Sequence, residues 1–600
     1  MAETAAIGID LGTTYSVAAI VENGRPRVIS DTGGGYTIPS IVAIDDKGNR
    51  LVGQAAKRQV LMNPVHTVYG AKRLIGRDIQ SPVVHKIQDN VKYRVISGEH
   101  SDVLIKMRDE PYGLEEISAL ILDHVRNLAQ DSLGREVTRA VVTVPAYFND
   151  RQRQAVREAG KIAQMDVLRI INEPTAAALA YGFGKTLHQK LAIYDFGGGT
   201  FDVSILEVRE NVFEVLATGG DTFLGGLDID NRLAELVIHR FQKEHQIDLG
   251  KDPISHQRVR DACEQAKIEL SNRPETRIHI PFITAGPAGP LNIDVTIKRE
   301  EFEQLCGDLV GKTLVACRQV MADAKLKPEE IDAVLLVGGT TRIPLVAKKV
   351  ADFFGKPPSK GIHPDEAVAL GAAIMADSMA RKGNTEIQLL DVLPMTIGIQ
   401  AAGGKMVPIF PRNAPYPNQK QKIFTTFKDK QASLKLTILQ GDHPNAAENE
   451  IIGDFTFSGI HSAPKGQAKV EVTFTLNHEG ILTVSARDPD TGTAQESVLQ
   501  VQSGTSKPQH LDLITLKKPV EKKAGETVIA ATVTREKKLK AGTAPAPAPE
   551  TTSKADSTPP PAKPQDASKP PLPPKPVLRP LGESPVLKFF RRLASRFKRS

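Results

Sequence analysis

The segment LAIYDFGGGTFDVSILEV, residues 191–208, decides the fold. An apolar run leads to Asp195, three glycines and Thr200 follow, and a second apolar run begins. Residues 5–22, AAIGIDLGTTYSVAAIVE, repeat this pattern of strand, glycine turn and strand around Asp10. One such loop alone is compatible with an ordinary β-turn, but two matched hairpins predict a pseudo-symmetric pair of lobes.

Phosphate chemistry explains why these residue types stand in the turns. Glycines let backbone N–H groups approach phosphate oxygens with no Cβ in the way. The hydroxyl groups of Thr13, Thr14 and Thr200 add donors. Asp10 and Asp195 can hold a hydrated magnesium ion between them. The duplicated turns therefore predict a triphosphate site between the two lobes.

A third glycine turn, VGGTTR at residues 337–342, follows the apolar run AVLLV and precedes the predicted helix IPLVAKKVADFF. The turn has neither the GxGxxG nor the Walker pattern, so neither a dinucleotide fold nor a P-loop fold is supported. Its position suits contact with a nucleoside or a phosphate. Arg342 is placed to lie flat against a base.

The chain changes character twice. Strand and helix signals alternate over residues 5–380, which predicts an α/β architecture with buried sheets. From about residue 393, short β-branched segments separated by turn residues predict an all-β sandwich. The connector GNTEIQLLDV, residues 383–392, is partly apolar, so we expect it to be flexible yet able to dock.

Composition bounds the compartment and the partners. Three cysteines in 600 residues, too widely spaced for a metal site or a disulfide framework, indicate a reducing compartment. No apolar run has the length of a membrane span, and Glu3 and Asp10 do not suit a signal peptide, so we expect a cytoplasmic protein. Residues 1–505 carry a net charge of −5, which argues against nucleic acid as a partner of the folded body.

The net positive charge of the chain comes from its C-terminal region. Residues 506–600 carry a net charge of +12. We expect residues 506–585 to form a flexible region rich in proline, alanine and lysine, in which the 14 prolines of residues 545–585 predict an extended spacer. Residues 506–540 are ambiguous between strand and linker. At the terminus, 586–600 form a candidate basic amphipathic helix, with one apolar and one Lys/Arg face. Three interpretations stay open for it: a disordered charged end, a contact with an anionic membrane surface, or a contact with a ribosome, nucleic acid or protein.

From about residue 5 to residue 500 the chain resembles the 70-kilodalton heat-shock chaperones of the DnaK type. The motifs that carry the resemblance are GIDLGTTYS, VVTVPAYFND, INEPTAAALAYG, YDFGGGTFDVSIL, GGDTFLGGLDID, KIELS and LLVGGTTRIP. The resemblance implies an actin-like, ribonuclease H-like ATPase of two α/β lobes over residues 1–382. A linker over 383–392 would then lead to a peptide-binding β-sandwich over 393–505.

The resemblance also implies a role for each matching site residue. Catalytic roles fall on Asp10, Lys72, Glu173, Asp195 and Thr200, with both aspartates around the water shell of Mg²⁺. Lys72 would stabilise charge on the transferred phosphoryl group and place the attacking water, and Glu173 would assist at the metal. The implied phosphate contacts are Gly12, Thr13, Thr14, Tyr15, Gly197, Gly198, Gly199 and Thr200. The remaining nucleotide contacts would be Glu264 and Lys267 at the ribose, Ser271 near the adenine, Ile268 and Arg342 over its faces, and Gly338, Gly339, Thr340 and Asp365. The implied cofactors are ATP or ADP, Mg²⁺ and K⁺.

Communication between the domains and peptide binding are implied in the same way. Pro145 and Arg153 match the switch and relay positions of the family, and Arg169 and Asp391 match charged positions used in domain docking. The peptide pocket would be formed by Ile399, Phe424 and Leu434, with Ala402 and Phe427 forming an arch over it. The implied partners are unfolded or extended apolar polypeptides, a J-domain cochaperone and a nucleotide exchange factor.

The chain also departs from the family pattern. Typical members continue after the sandwich with a helical lid, whereas here the ambiguous stretch, the proline spacer and the basic terminus follow. Gln388 interrupts an apolar linker, which predicts weaker docking, and Leu434 stands where many relatives have valine, which predicts a shallower pocket. Two other classes stay open: a weakly catalytic switch tethered by its tail at a membrane or ribosome, and a sugar or acetate kinase, which would leave the sandwich unexplained.

Without a helical lid over the sandwich, bound peptide should exchange quickly in both nucleotide states. We expect a labelled apolar peptide to dissociate from the ADP-bound full chain within seconds, because nothing latches over the cleft. Stopped-flow fluorescence after addition of excess unlabelled peptide measures this rate. Retention of the peptide for minutes in ADP would contradict an open cleft.

Overall fold

The computed structural model describes residues 5–31, 33–99, 101–287, 289–361, 363–381 and 387–498. The predicted spacer and the predicted amphipathic helix at 586–600 lie outside the described residues, as does the ambiguous stretch 506–540.

The first lobe is a mixed sheet covered by helices. Its strands are β1 (Ala5–Asp10), β2 (Tyr15–Glu22), β3 (Arg25–Val28), β4 (Thr37–Pro39), β5 (Ile41–Ile44), β6 (Arg50–Val52), β7 (Thr67–Tyr69), β8 (Arg94–Ser97), β9 (Val103–Met107), β10 (Glu110–Gly113), β11 (Val137–Val144) and β12 (Asp166–Asn172). Its helices are α1 (Gln54–Gln59), α2 (Pro82–Asn90), α3 (Leu114–Leu133), α4 (Asp150–Ile162) and α5 (Glu173–Gly182). The strand order is β12-β11-β1-β2-β3, and β1 is central, so Ile7 and Ile9 are fully buried.

The second lobe repeats this order. Its strands are β13 (His188–Phe196), β14 (Phe201–Arg209), β15 (Val212–Asp221), β16 (Glu275–Gly286), β17 (Gly289–Lys298) and β18 (Ala333–Val337). The helices that follow in the chain are α6 (Gly226–His245), α7 (Pro253–Leu270), α8 (Arg299–Asp323), α9 (Pro344–Phe354) and α10 (Ala367–Ala380), and α10 packs back on β1 and α5. The core order is β18-β13-β14-β15, the counterpart of β11-β1-β2-β3.

The two glycine turns occupy equivalent places in the lobes. β1 and β2 form an antiparallel hairpin, as do β13 and β14, in which Asp195 lies opposite Asp202. A parallel strand flanks each hairpin, β11 beside β1 and β18 beside β13. The duplication predicted from residues 5–22 and 191–208 is therefore confirmed, and with it the α/β fold class.

A β-sandwich follows the lobes, as predicted. Its strands and the connector strand are β19 (Gln388–Val392), β20 (Ile397–Gln400), β21 (Met406–Phe410), β22 (Pro415–Tyr416), β23 (Asn418–Thr425), β24 (Ser433–Gln440), β25 (Glu450–Ser458), β26 (Lys469–Leu476), β27 (Leu482–Arg487) and β28 (Ala494–Val498). One sheet has the order β21-β20-β24-β25 and the other β23-β26-β27-β28. Phe410, Phe457 and Phe474 are fully buried between them, because alternate side chains of each strand face inward.

The connector docks as a strand. β19 pairs in parallel with β15, so that Gln388 lies opposite Val212 and Leu389 opposite Phe213. Leu389 is buried against the second lobe, whereas Gln388 is exposed. The polar residue that interrupts the apolar run thus stands at an outward position, where its side chain loses little hydration. The strength of docking stays a prediction.

The sandwich packs against the first lobe through hydrogen bonds. The Asn149 side chain donates to Glu450 (2.7 Å), and the backbone N–H of Asp150 donates to the side chain of Gln440 (3.1 Å). The Asp150 carboxylate accepts from the backbone N–H of Leu482 at 3.0 Å. Burial raises the pKa of Asp150 to about 6. The start of α4 is therefore the first-lobe part of this interface.

A second group of contacts involves β12 and α4. Glu479 accepts a hydrogen bond from the backbone N–H of Ile170 (3.1 Å) and forms an ion pair with Arg157. Arg169 donates to the backbone carbonyl of His478 at 3.1 Å. All these sandwich residues belong to the turn between β26 and β27.

Substitution of Leu389 by aspartate should undock the connector. A carboxylate at this buried position must be desolvated, and we expect linker proteolysis of the ATP-bound full chain to accelerate at least about tenfold. Gln388→Asp is the matched control, because the same charge at the exposed neighbour costs little. Equal cleavage rates for the two variants would refute the docked strand.

Candidate functional site

A cavity of about 490 Å³ lies between the two glycine turns. Small-molecule sites typically have ~300–1,000 Å³. Of the predicted nucleotide contacts, every residue except Gly199 lines it: Asp10, Gly12, Thr13, Thr14, Tyr15, Lys72, Glu173, Asp195, Gly197, Gly198, Thr200, Glu264, Lys267, Ile268, Ser271, Gly338, Gly339, Thr340, Arg342 and Asp365. The carbonyl of Gly199 instead accepts a hydrogen bond from Arg73 Nε at 2.8 Å.

The facing turns approach so closely that only glycine fits. A Cβ on Gly198 would lie 2.0 Å from Thr14 Oγ1, and one on Gly199 would lie 2.4 Å from the Thr13 methyl group. Real Cβ atoms do not approach other atoms this closely. Thr14 Oγ1 is itself buried without a hydrogen-bond partner among the described residues. A phosphate oxygen bound at this glycine turn would accept a hydrogen bond from the unpartnered hydroxyl.

Carboxylates crowd the floor of the cavity. Lys72 Nζ donates to Glu173 Oε1 at 2.5 Å, and both side chains are buried. Burial and then the charge of Glu173 raise the pKa of Asp10 to about 7, with Lys72 opposing the rise. The same two causes raise the pKa of Asp195 well above its usual range.

Asp202 belongs to this acidic group and was not predicted from the sequence. It lies opposite Asp195 across the hairpin, accepts from the backbone N–H of Tyr147 (3.0 Å), and has its pKa raised to about 8 by burial and by Glu173. The available signal was the Phe-Asp pair that directly follows GGGT in GGGTFD. A group of buried carboxylates with one bonded lysine fits a site for a divalent cation, since Mg²⁺ prefers oxygen ligands.

The end of α7 and Ser271, which follows it, form part of the cavity wall. Lys267 Nζ donates to Asp230 at 2.8 Å, which leaves Glu264 and Ser271 lining the cavity beside it. Ile268 on the same side is 46% exposed. An apolar side chain that stays exposed beside a polar cavity is suited to pack against the face of a nucleotide base.

The third glycine turn also lines the cavity. Arg342 Nη2 donates to Asp365 at 2.6 Å and lies 3.1 Å from His363 Nε2. The carboxylate of Asp365 thus orients the guanidinium. The cavity is also lined by residues that the motifs did not single out: Val17, Thr37, Asn272, Val337, Ile343, Pro364 and Val368.

The predicted switch and relay residues lie between the cavity and the sandwich. Pro145 follows the last residue of β11. The buried Arg153 donates to the carbonyls of Phe148 and Ala146 (both 3.2 Å) and to Asn172 Oδ1 (2.8 Å). Arg153 therefore fixes the turn that joins β11 to α4.

The predicted docking charges do not pair with each other. Asp391 accepts from the Thr175 hydroxyl at 2.8 Å, and burial raises its pKa. Arg169 binds the carbonyl of His478. Tyr416 lies near both, and its hydroxyl accepts from Asn172 at 3.2 Å. The interface uses Asp391 and Arg169 separately.

The predicted peptide residues fall into two groups. Ile399 and Leu434 are 6% and 8% exposed within the sandwich core, and Phe424 packs against that core. Phe427 is 63% exposed, and Ala402 lies in an exposed turn. Three of the predicted residues thus belong to the apolar core, and two are exposed. This arrangement is compatible with an apolar pocket that the side chains of Ala402 and Phe427 cover.

Comparison with known families supports this assignment of the cavity. The family model described as Hsp70 protein matches residues 6–544 of the chain, well over half of its length. No helix in the described part of the chain has the length and apolar character needed to cross a membrane.

Substitution of Gly198 by alanine should remove nucleotide binding. Its Cβ forces the turns apart, and we expect the affinity for ATP with Mg²⁺ to fall at least about a hundredfold. Isothermal calorimetry on the full chain measures this. Gly311→Ala is the matched control, since nothing lies within 4 Å of the new methyl group in α8. Unchanged affinity in Gly198→Ala would exclude this turn from the site.

Proposed function

The chain belongs to the Hsp70 family, whose members are ATPases, and from this membership we propose that it is an ATP-dependent chaperone. In this proposal it binds extended apolar segments of unfolded polypeptides and releases them under control of ATP hydrolysis. The single observation that carries the proposal is the cavity between two facing glycine turns, with its unpartnered hydroxyl and its crowded carboxylates.

We assign the chemistry to the residues of that cavity. Backbone N–H groups of the glycine turns and the hydroxyls of Thr13, Thr14 and Thr200 would hold the phosphates. Asp10 and Asp195 would hold Mg²⁺ through water, and the bound ion would supply charge neutralisation to the phosphates. Lys72 then stabilises negative charge that develops on the transferred group, and Glu173 keeps its ammonium group in place. The potassium ion stays a prediction.

The turn between β11 and α4 supports coupling of this site to the sandwich. Phe148 lies beneath Lys72, whose Nζ is 5.9 Å from the ring centroid, and Tyr147 donates to Asp202. Asp150, three residues from Tyr147, binds Leu482 and Gln440 of the sandwich. A shift of this one turn would therefore move both sites.

Thermodynamic reciprocity sets what this coupling must do. If ATP binds the docked arrangement more tightly than the separated one by some factor, bound ATP must shift the docking equilibrium toward the docked arrangement by the same factor. Peptide that favours separated domains would then weaken ATP binding. We further propose that separation of the domains accelerates hydrolysis. A J-domain cochaperone and a nucleotide exchange factor are the proposed partners of this cycle.

Steady-state ATP turnover with and without an apolar peptide and a J-domain protein tests the proposal. We expect turnover by the full chain to rise at least severalfold when both are present. Lys72→Ala is the matched control, which should bind ATP and not hydrolyse it, because the phosphates keep their backbone contacts. Absence of hydrolysis under all conditions would contradict the proposed function.

A further inference from the structure

The side chain of Arg73 joins the two lobes across the cleft. Arg73 ends the 3₁₀ turn Ala71–Arg73 of the first lobe and is only 5% exposed. Its Nε donates to the carbonyl of Gly199 at 2.8 Å, and its two Nη atoms bind the two carboxylate oxygens of Asp228. Its guanidinium carbon lies 4.7 Å from the ring centroid of Phe223. These three partners belong to the second lobe, so the guanidinium binds on the far side of the cleft from its own backbone.

This set of contacts requires an arginine. A guanidinium is planar and carries five N–H donors in a fixed arrangement. Here one edge binds the carbonyl of Gly199, another binds the carboxylate of Asp228, and the flat face lies near an aromatic ring. A lysine at this position would keep a positive charge for Asp228, but it could not serve both partners in this geometry.

The other two carbonyls of the glycine turn are held from within the second lobe. The carbonyl of Gly197 accepts from the backbone N–H of Gly226 at 3.0 Å, and that of Gly198 accepts from the backbone N–H of Leu227 at 2.9 Å. Both donors lie at the start of α6. The turn is therefore held from two lobes, with two carbonyls bound by α6 and the third bound by a side chain of the first lobe.

Asp228 connects these two sets of contacts. Its carboxylate accepts from the backbone N–H of Gly225 at 2.8 Å, the residue that precedes α6, and also pairs with Arg73. A Cβ on Gly225 would lie 2.4 Å from the carbonyl oxygen of Gly198, so the start of α6 packs directly on the turn. Arg73 thus contacts both the turn and the carboxylate that fixes the start of α6.

The N–H groups of the same peptide units remain available to a ligand. A trans peptide directs its N–H away from its carbonyl, so the bound carbonyls direct the N–H groups of Gly198, Gly199 and Thr200 the opposite way. None of these three N–H groups donates a hydrogen bond within the described part of the chain. Gly198 and Thr200 line the cavity. The bond from Arg73 to Gly199 therefore fixes the direction of the Thr200 N–H.

We propose that Arg73 is a positioning residue of the phosphate site, which makes the orientation of the Thr200 N–H depend on closure of the two lobes. The proposal rests on the proposed function, because it requires that the cavity binds nucleotide phosphates. It adds a means of regulating that site. When the lobes separate, Gly199 loses its donor, and the turn loses one of its directed N–H groups.

Arg77 provides a matched comparison within the same cleft. Its Nη2 donates to the hydroxyl of Thr222 in the second lobe at 2.7 Å, and this bond involves no residue of the glycine turn. Thr222→Val removes the bond with little change in side-chain shape, since both residues are β-branched. The variant therefore removes one contact between the lobes and leaves the bond from Arg73 to Gly199 in place.

Calorimetry of the full chain with ATP and Mg²⁺ tests the proposal in Arg73→Lys and Thr222→Val. We expect Arg73→Lys to bind at least about tenfold more weakly than the unsubstituted chain, because the ammonium group can pair with Asp228 but leaves the carbonyl of Gly199 unbound. Thr222→Val should stay within about threefold. Unchanged affinity in Arg73→Lys would overturn the inference. Equal weakening in the two variants would also overturn it, because Arg73 would then be only a contact between the lobes.

Adenosine separates phosphate binding from general damage to the fold, since it has the base and the ribose but no phosphate. We expect Arg73→Lys to bind adenosine within about twofold of the unsubstituted chain, as measured by calorimetry at high ligand concentration. A loss for adenosine as large as the loss for ATP would overturn the inference, because the substitution would then act on the whole cavity. Failure of the unsubstituted chain to bind ATP with Mg²⁺ would instead overturn the proposed function.

Discussion

The rest of the structure depends on one constraint, a buried group of carboxylates beside the two facing glycine turns. Asp195 and Asp202 lie on one hairpin, Asp10 on the equivalent hairpin of the other lobe, and Glu173 and Lys72 between them. Burial and the neighbouring carboxylates raise the pKa values of these aspartates, so a divalent cation bound beside them would favour their ionised forms. The two lobes thus share a buried acidic centre whose oxygen ligands suit a divalent cation.

The same carboxylates are linked to the interface with the sandwich through very few residues. Asp202 accepts from Tyr147, Phe148 lies beneath Lys72, and Asp150 accepts from Leu482. Arg153 holds this turn through two of its carbonyls. A short, hydrogen-bonded turn transmits displacement better than a long loop, because it has few alternative conformations. The geometry is therefore compatible with the proposed communication between the cavity and the sandwich.

A feature could be predicted from the sequence when its signal lies within one short segment of the chain. The two glycine turns were predictable because Asp10 and Asp195 lie in duplicated motifs, and a turn between two apolar strands is a local structure. Asp202 was missed although it lies close to Asp195 in the chain, since only the register of the hairpin places the two side by side. Thr37 and Pro364 line the cavity through tertiary packing alone, so no short pattern announces them.

The sandwich shows the same limit at its interface. Its strands were predictable from alternation, and Ile399 and Leu434 lie in its core as apolar strand residues commonly do. The bonds of Glu450 and Glu479 to the first lobe join residues about 300 positions apart, which no spacing rule reveals. The exposure of Gln388 likewise depended on the register of β19 against β15.

The most direct measurement of the central claim is the magnesium dependence of ATP binding to the full chain and to Asp195→Asn. Calorimetry should give tight binding with Mg²⁺, at least about tenfold weaker binding with chelator, and a largely lost metal dependence in the variant, because one ligand of the ion's water shell is removed. Equal affinity of the unsubstituted chain with Mg²⁺ and with chelator would contradict the account, since the facing carboxylates would then have no cation to bind.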